Sequence, residues 1–211
     1  MKLFISGISI FIFATVLWHT PLKAESNTIS KERAQAIYDL CANCHGDNGQ
    51  GKVELEAPAI AGLPAWYVSS QLYKFKNGTR GKHHLDNAGL RMRPMARTLT
   101  SDKEIDGVAS FVEAMSIVPQ ENTITGDVAQ GESKFLVCTS CHGTRGEGNP
   151  ALKAPPINSS NDWYILTQLQ NFKSGIRGVS TDPEGMTMIT MSSNLSDQDM
   201  RNIVAYIATL Q

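Results

Sequence analysis

All four cysteines of this 211-residue chain fall in two short runs, Cys41-Ala42-Asn43-Cys44-His45 and Cys138-Thr139-Ser140-Cys141-His142. Two thiols separated by two residues can add to both vinyl groups of one haem. The adjacent histidine is then held beneath the ring with an imidazole nitrogen free for iron. Cys-x-x-Cys-His is accordingly the attachment signature of c-type haem. Cys41, Cys44, Cys138 and Cys141 are therefore the predicted covalent attachment points of two haems, and His45 and His142 their first axial ligands. Two other chemistries use paired cysteines. A redox disulfide of the thioredoxin kind wants a βαβ setting, which this sequence lacks. A four-thiolate zinc site would leave both histidines without a role.

Iron held by one histidine needs a sixth ligand or keeps an open face. Met92-x-x-Met95 and Met188-x-x-Met191 recur at matching places, and a soft thioether ligand raises the potential of histidine-ligated haem iron. Met95 and Met191, each four residues before a leucine, are the expected ligands. Met92 and Met188 are assigned to packing around the ring edge, with ligation as the alternative, and Met115, Met186 and Met200 to core filling. Arg93-Pro94, directly before Met95, predicts an extended ligand loop.

Two readings stand for each of the supporting residues. Pro58 and Pro155 offer carbonyls that could fix the second nitrogen of each ligand histidine, or they are turn prolines. Arg80 and Arg177 match haem propionates bidentately, or they are solvated loop arginines. Trp66 and Trp163 read as core or ring-edge packing, with an electron relay as the alternative. His83-His84 occurs in the first half alone and reads as a solvated pair, with a ligand swap as the alternative. A basic cluster of Arg80, Lys82, Arg91, Arg93 and Arg97 is either a dock for an acidic partner or a solvated face.

The elements that must position these residues come in two copies. At an offset of 97 residues, 19 of the 41 positions from Cys41 to Gly81 are identical to those from Cys138 to Gly178. The chain is a tandem duplication, and two copies make two lobes rather than a solenoid. After a one-residue deletion the methionine segments align at an offset of 96, and at 95 Ser101 falls on Ser196. Each of these serines stands three residues before an acid, Glu104 or Asp199, a capping-box spacing that predicts a helix start. Apolar residues at helical spacing (Ile105, Val108, Ala109, Val112; Met200, Ile203, Val204, Ile207) predict the last helix of each lobe.

Middle helices are expected from about Ala65 and Asp162, stopped by Gly78 and Gly175. First helices are expected from about Ser30 into Cys41 and from about Asp127 into Cys138. Ala34 and Gly131 would let these cross close to the last helix, beside Phe111 or Tyr206. The polar stretch 119–126 reads as a linker. The predicted architecture is all-α, with an N-terminal domain at 28–118 and a C-terminal domain at 127–211.

Nineteen basic residues against twenty acidic ones give a formal charge of -1, and no long basic run exists to hold nucleic acid. Residues 1–24 carry a lysine, an uncharged apolar stretch from Leu3 to Trp18 and a small residue, Ala24. That pattern predicts a secretory signal peptide and a periplasmic or equivalent destination. The alternative is an uncleaved N-terminal anchor, although the apolar stretch falls short of the roughly 20 residues a spanning helix prefers.

Together with the CxxCH runs, Tyr67-x-x-x-Gln71-Leu72-x-x-Phe75-x-x-Gly78-x-Arg80, its copy from Tyr164 to Arg177, and the Met-x-x-Met segments resemble the di-haem class I cytochromes c of the cytochrome c4 family. The resemblance covers residues 30–211. It implies two all-α lobes, one covalent haem each with His/Met ligands, and electron shuttling in the periplasm, often toward a terminal oxidase. The sequence departs from that pattern at Asn158-Ser159-Ser160-Asn161, where an Ala-Gly turn like Ala61-Gly62 is usual.

The leading expectation is an electron-transfer protein rather than an enzyme, passing single electrons between a redox donor and an acceptor such as a membrane oxidase. With both axial positions filled, no small-molecule substrate binds iron. The alternatives are the cytochrome subunit of a flavoprotein dehydrogenase, of the flavocytochrome c type, and a di-haem peroxidase. A thiosulfate dehydrogenase is disfavoured, because those enzymes use a cysteine ligand and no spare cysteine exists.

Overall fold

The computed structural model describes residues 28–211, so the expected signal peptide lies outside the described residues. The N-terminal lobe contains α1 (Lys31–His45), α2 (Ala65–Asn77), α3 (Asn87–Arg97) and α4 (Asp102–Glu113). The C-terminal lobe repeats that order with α5 (Val128–Phe135), α6 (Thr139–His142), α7 (Asp162–Lys173), α8 (Pro183–Ser192) and α9 (Asp197–Ala208). Among the described residues the only β pairing is two isolated bridges, Lys52 with Ala57 and Asn149 with Ala154. Each bridge closes a short 3-10 turn (Val53–Leu55, Pro150–Leu152) after the CxxCH run. No helix among these residues is long and apolar enough to cross a membrane.

Each lobe closes on its own apolar core. Ile37, Tyr38, Leu72, Phe75, Ile105, Val108 and Val112 pack in the first lobe. Phe135, Ile165, Leu166, Met200, Ile203, Val204 and Ile207 pack in the second. First and last helices meet through an aromatic pair in each, Tyr38 with Phe111 at 5.3 Å and Phe135 with Tyr206 at 5.4 Å between centroids. Gly131 is required where α5 crosses α9, because a Cβ there would stand 1.9 Å from the backbone oxygen of Asn202. Buried Ala34 holds the matching place on α1.

The serine caps form as expected, but only one box closes reciprocally. Ser196 Oγ accepts from the Asp199 N–H, and the Asp199 carboxylate accepts from the Ser196 N–H. Ser101 also caps α4, accepting from the Glu104 N–H. Glu104, one methylene longer, reaches past the cap to Thr100, taking its N–H and hydroxyl at 2.8 Å each, and to Arg33 at 2.6 Å. Gly78 and Gly175 both follow their helices with positive φ, and both donate N–H to a phenylalanine carbonyl, Phe75 or Phe172.

Three expectations need correction. The segment before Met95 is not extended: α3 continues through Pro94. Asp86 secures its start by accepting from the Gly89 N–H at 2.9 Å. Pro94 removes only the bond to the Leu90 carbonyl, on an exposed face where water can serve it.

The first helix of the second lobe does not run into Cys138 but breaks after Phe135 into α6. Thr139 and Ser140 hydroxyls bond the carbonyls of Leu136 and Val137, competing with the backbone for the same acceptors. In the first lobe Asn43 Nδ2 bonds the matching carbonyls of Asp39 and Leu40 while α1 stays continuous, so such bonds alone do not set the break. Finally, Met186 is not core filler, being 43% exposed on α8, whereas Met200 is fully buried.

Candidate functional site

α1 and α6 carry the CxxCH runs, and each ends on its histidine. His45 Nδ1 lies 2.8 Å from the Pro58 carbonyl oxygen, and His142 Nδ1 lies 2.8 Å from that of Pro155. A carbonyl can only accept, so both histidines carry their proton on Nδ1 and leave Nε2 as a lone-pair donor. Burial keeps both imidazoles below their ordinary pKa, against the pull of the proline carbonyls. They are neutral, as a metal-ligating histidine must be.

Burial also pushes the Cys41 and Cys138 thiols up to about 11. A redox-active cysteine pair needs the opposite, a stabilised thiolate. Among the described residues no three His, Cys, Asp or Glu side chains converge as a metal-binding group, so a shared zinc site has no ligand set.

The CxxCH runs, both histidines and both prolines line one hollow of about 1460 Å³ that reaches into both lobes. Met92, Met95, Met188 and Met191 line it as well. Met95 and Met191 present their side chains most openly, at 40% and 41% exposure, while Met92 packs against the core of its lobe. Protein interiors normally keep few voids larger than a water molecule, and a hollow of this size, edged by paired thiols and thioethers, is space for bulky apolar groups. Trp66 and Trp163 also face it. His83 and His84 do not: their rings stack at 4.5 Å on the loop before α3, and His83 Nδ1 accepts from the Leu85 N–H.

Arg80 and Arg177 are not solvated. Arg80 is 9% exposed, and both arginines belong to a reciprocal network across the seam between the lobes. Gln71 Oε1 accepts from Arg80 at 2.9 Å and from Arg177 of the other lobe at 3.0 Å. Gln168 Oε1 accepts from Arg177 at 2.8 Å and from Arg80 at 3.2 Å. Tyr164 Oη accepts from Arg80 at 2.8 Å. Burial opposes ionisation of Tyr164, yet the Arg80 and Arg177 guanidiniums bring its phenol below its ordinary pKa.

Among the described residues the Nε atoms of both arginines and Trp66 Nε1 are buried without a partner, and all three residues line the hollow. Buried N–H groups are rarely left unsatisfied, and these donors suit carboxylates such as haem propionates. The residues present therefore fit c-type haem.

The remaining basic residues do not make one free patch, since Arg91 is held by Glu56 and the Leu55 carbonyl. Sequence reasoning missed Asn161, whose Oδ1 accepts from the Ala59 N–H of the other lobe at 2.6 Å. The signal was there: Asn158-Ser159-Ser160-Asn161 replaces the Ala-Gly turn.

The cytochrome c family model matches residues 31–116 and again 128–211. A thiosulfate dehydrogenase electron acceptor from Stutzerimonas stutzeri (strain A1501) is 29% identical over 181 residues, covering 81% of this chain and 78% of that protein. Cytochrome c4 from Azotobacter vinelandii is 28% identical over 187 residues, covering 81% and 84%. The crystal structure of reduced recombinant cytochrome c4 from Pseudomonas stutzeri superposes with a TM-score of 0.66 at 26% identity, over 84% of this chain and 97% of that one. The chain belongs to the cytochrome c family, as a di-haem class I member of the cytochrome c4 kind. Its two domains carry two c-type haems, and its work is electron transfer.

Proposed function

We propose that this protein is a periplasmic carrier, not an enzyme, that takes single electrons from a respiratory or dehydrogenase donor and delivers them to an acceptor such as a terminal oxidase. The observation that supports it best is duplication of the complete site: each lobe brings two cysteines, a proline-oriented histidine and a methionine-bearing helix to the same hollow. When bound, each haem supplies an iron that cycles between ferric and ferrous states, one electron at a time.

The chain's own residues do the rest. Cys41 and Cys44, with Cys138 and Cys141, hold the groups covalently. His45 and His142 would hold the iron through Nε2, while the Pro58 and Pro155 carbonyls fix their rings and raise their basicity. Met95 and Met191 would supply the thioethers that hold the iron as well, which would keep substrates from the metal and the potential high. The Nε atoms of Arg80 and Arg177, unpartnered among the described residues, would suit haem propionates. A dehydrogenase donor draws support from the similarity to a thiosulfate dehydrogenase electron acceptor, and a separate cytochrome subunit of a flavoprotein would present the same lobes.

Pyridine haemochrome assay of the purified holoprotein should give two haems per chain. Its ferric spectrum should show the methionine-to-iron absorption band at both. Met95→Ala and Met191→Ala should each abolish that band at one haem, open that iron to added imidazole and lower its potential. Spectra unchanged by either substitution would reject the ligand assignment. Reduction by purified thiosulfate dehydrogenase, set beside oxidation by oxidase-containing membranes, orders the partners.

A further inference from the structure

α8 bears Met191 near its C-terminal end, about 12 Å along the axis from its first residue at 1.5 Å per residue. Its first turn is gripped from the other lobe. Lys74, on α2, places Nζ 2.6 Å from Asp182 Oδ1 and 2.9 Å from Glu184 Oε2. Asp182 is the N-cap of α8, and the same Oδ1 accepts from the Gly185 N–H at 3.1 Å. The Asp182 side chain is 3% exposed and that of Lys74 16%, so the contact is shielded from water. Lys153 adds a second cation to Glu184 at 3.2 Å.

Among the described residues there is no reciprocal grip. Asn171 stands where the repeat places the counterpart of Lys74, and Ala88 where it places that of Glu184. Asp86, the counterpart of Asp182, caps α3 in the same way but has no ion pair among the described residues. The backbone around the two positions is the same: the Arg80 N–H donates to the Lys74 carbonyl, as Arg177 does to Asn171. Only the side chains differ.

We propose that Lys74 is a positioning residue of the opposite lobe, fixing the methionine helix α8 so that ligation by Met191 depends on how the lobes are docked, whereas ligation by Met95 does not. The proposal rests on Met191 being the axial ligand. A helix is stiff along its axis, so an ion pair at the cap sets where the thioether arrives a little over two turns later. Asp182 is held from both sides, by the helix it caps and by the lysine across the seam. Losing Lys74 would leave a buried carboxylate with no cation to offset its desolvation, and α8 would shift to expose it.

The test uses the holoprotein in the ferric state, with imidazole as competing ligand and the shifted methyl proton resonances of the axial methionines as site-resolved readout. Met95→Ala and Met191→Ala assign the two resonances. Lys74→Ala should tighten imidazole binding at the C-terminal haem about tenfold, within the range usual for coupling between sites, and weaken the Met191 resonance alone. Lys74→Arg, which keeps the charge, should restore most of the difference. Glu184→Gln, a milder change if Lys74→Ala folds poorly, should move the same haem in the same direction by less.

Equal effects on both haems, or none on the C-terminal one while Met191→Ala does open it, would overturn the cross-lobe role alone. If Met191→Ala opens no iron, the ligand assignment fails and takes this inference with it.

Discussion

The two methionine helices are held alike at one end and differently at the other. Behind each, a lysine of the middle helix donates to the carbonyl of the aligned leucine at 2.6 Å, Lys76 to Leu99 and Lys173 to Leu195. In front, α8 is tied across the seam by Lys74, while α3 relies on its own Asp86 cap. The histidine sides show no such split: both rings meet a proline carbonyl at the same distance. After duplication, the histidine–proline pairs and the methionine segments have stayed fixed, and divergence has gathered where the copies touch. At its methionine helix one lobe relies on its own residues, whereas the other borrows Lys74 from its neighbour.

The comparison breaks most visibly through the attachment residues. Replacing Cys41 and Cys44 together by Ala should cut haem content from two per chain to one and unfold much of the N-terminal lobe, because the haem supplies the apolar interior of so small a unit. It should also loosen the second lobe, since Lys74 loses its footing. The converse pair, Cys138→Ala with Cys141→Ala, should leave the first lobe's haem spectrum intact. Haemochrome stoichiometry and site-resolved spectra check both, and symmetrical damage would erase the distinction between the lobes.

A smaller effect is expected at the helix crossing. Gly131→Ala should destabilise the C-terminal lobe by about 1–3 kcal/mol, the usual cost of forcing bulk into a packed contact, since the obstructing atom is backbone and cannot swing aside. Ala34→Gly, at the matching place, should cost roughly 1 kcal/mol or less through added chain entropy. Thermal unfolding followed at each haem separates the two. Equal shifts would mean that the crossings are packed alike.

The mildest test is acid. Arg33 beside Glu104, Lys134 beside Asp199 and Lys74 beside Glu184 hold each of those carboxylates at about 2. A carboxylate depressed in the folded state contributes stability that is complete above its ordinary value, about 4 to 4.5. That stability is lost as pH falls through the folded value. Stability should therefore be level above about pH 5 and decline as pH approaches 2. The N-terminal lobe has one such carboxylate and the C-terminal lobe two, so the second should give way first. Site-resolved unfolding between pH 5 and pH 2 measures the order, and a first lobe failing earlier would contradict it.

Much of this molecule was legible in the chain because function repeats itself. CxxCH, Pro58 with Pro155, and the methionine pairs announced the site by recurring, and the helix periodicity placed the last helix of each lobe. What escaped was whatever the copies do not share. Lys74 opposite Asn171 looks like drift in a repeat alignment, and only the fold brings it to an acid more than 100 residues away. Arg80 and Arg177 were ambiguous, since no local pattern distinguishes an arginine in solvent from one shared between two glutamines across a seam. Pro94 misled because the rule it follows is local, whereas a good cap and an exposed flank let α3 carry it. The break before α6 is a turn of the backbone that apolar spacing does not register.

The connection between the lobes carries its own consequence. Asp162, 1% exposed, accepts from the backbone N–H groups of Thr123 and Ile124 and from the Thr123 hydroxyl, and Asn161 bonds Gln120. Bonded to the start of α7 at Gln120, Thr123 and Ile124, the connector is tethered to the second lobe. Two centres carried by one tethered chain exchange electrons within the molecule, so that step should keep its rate on dilution.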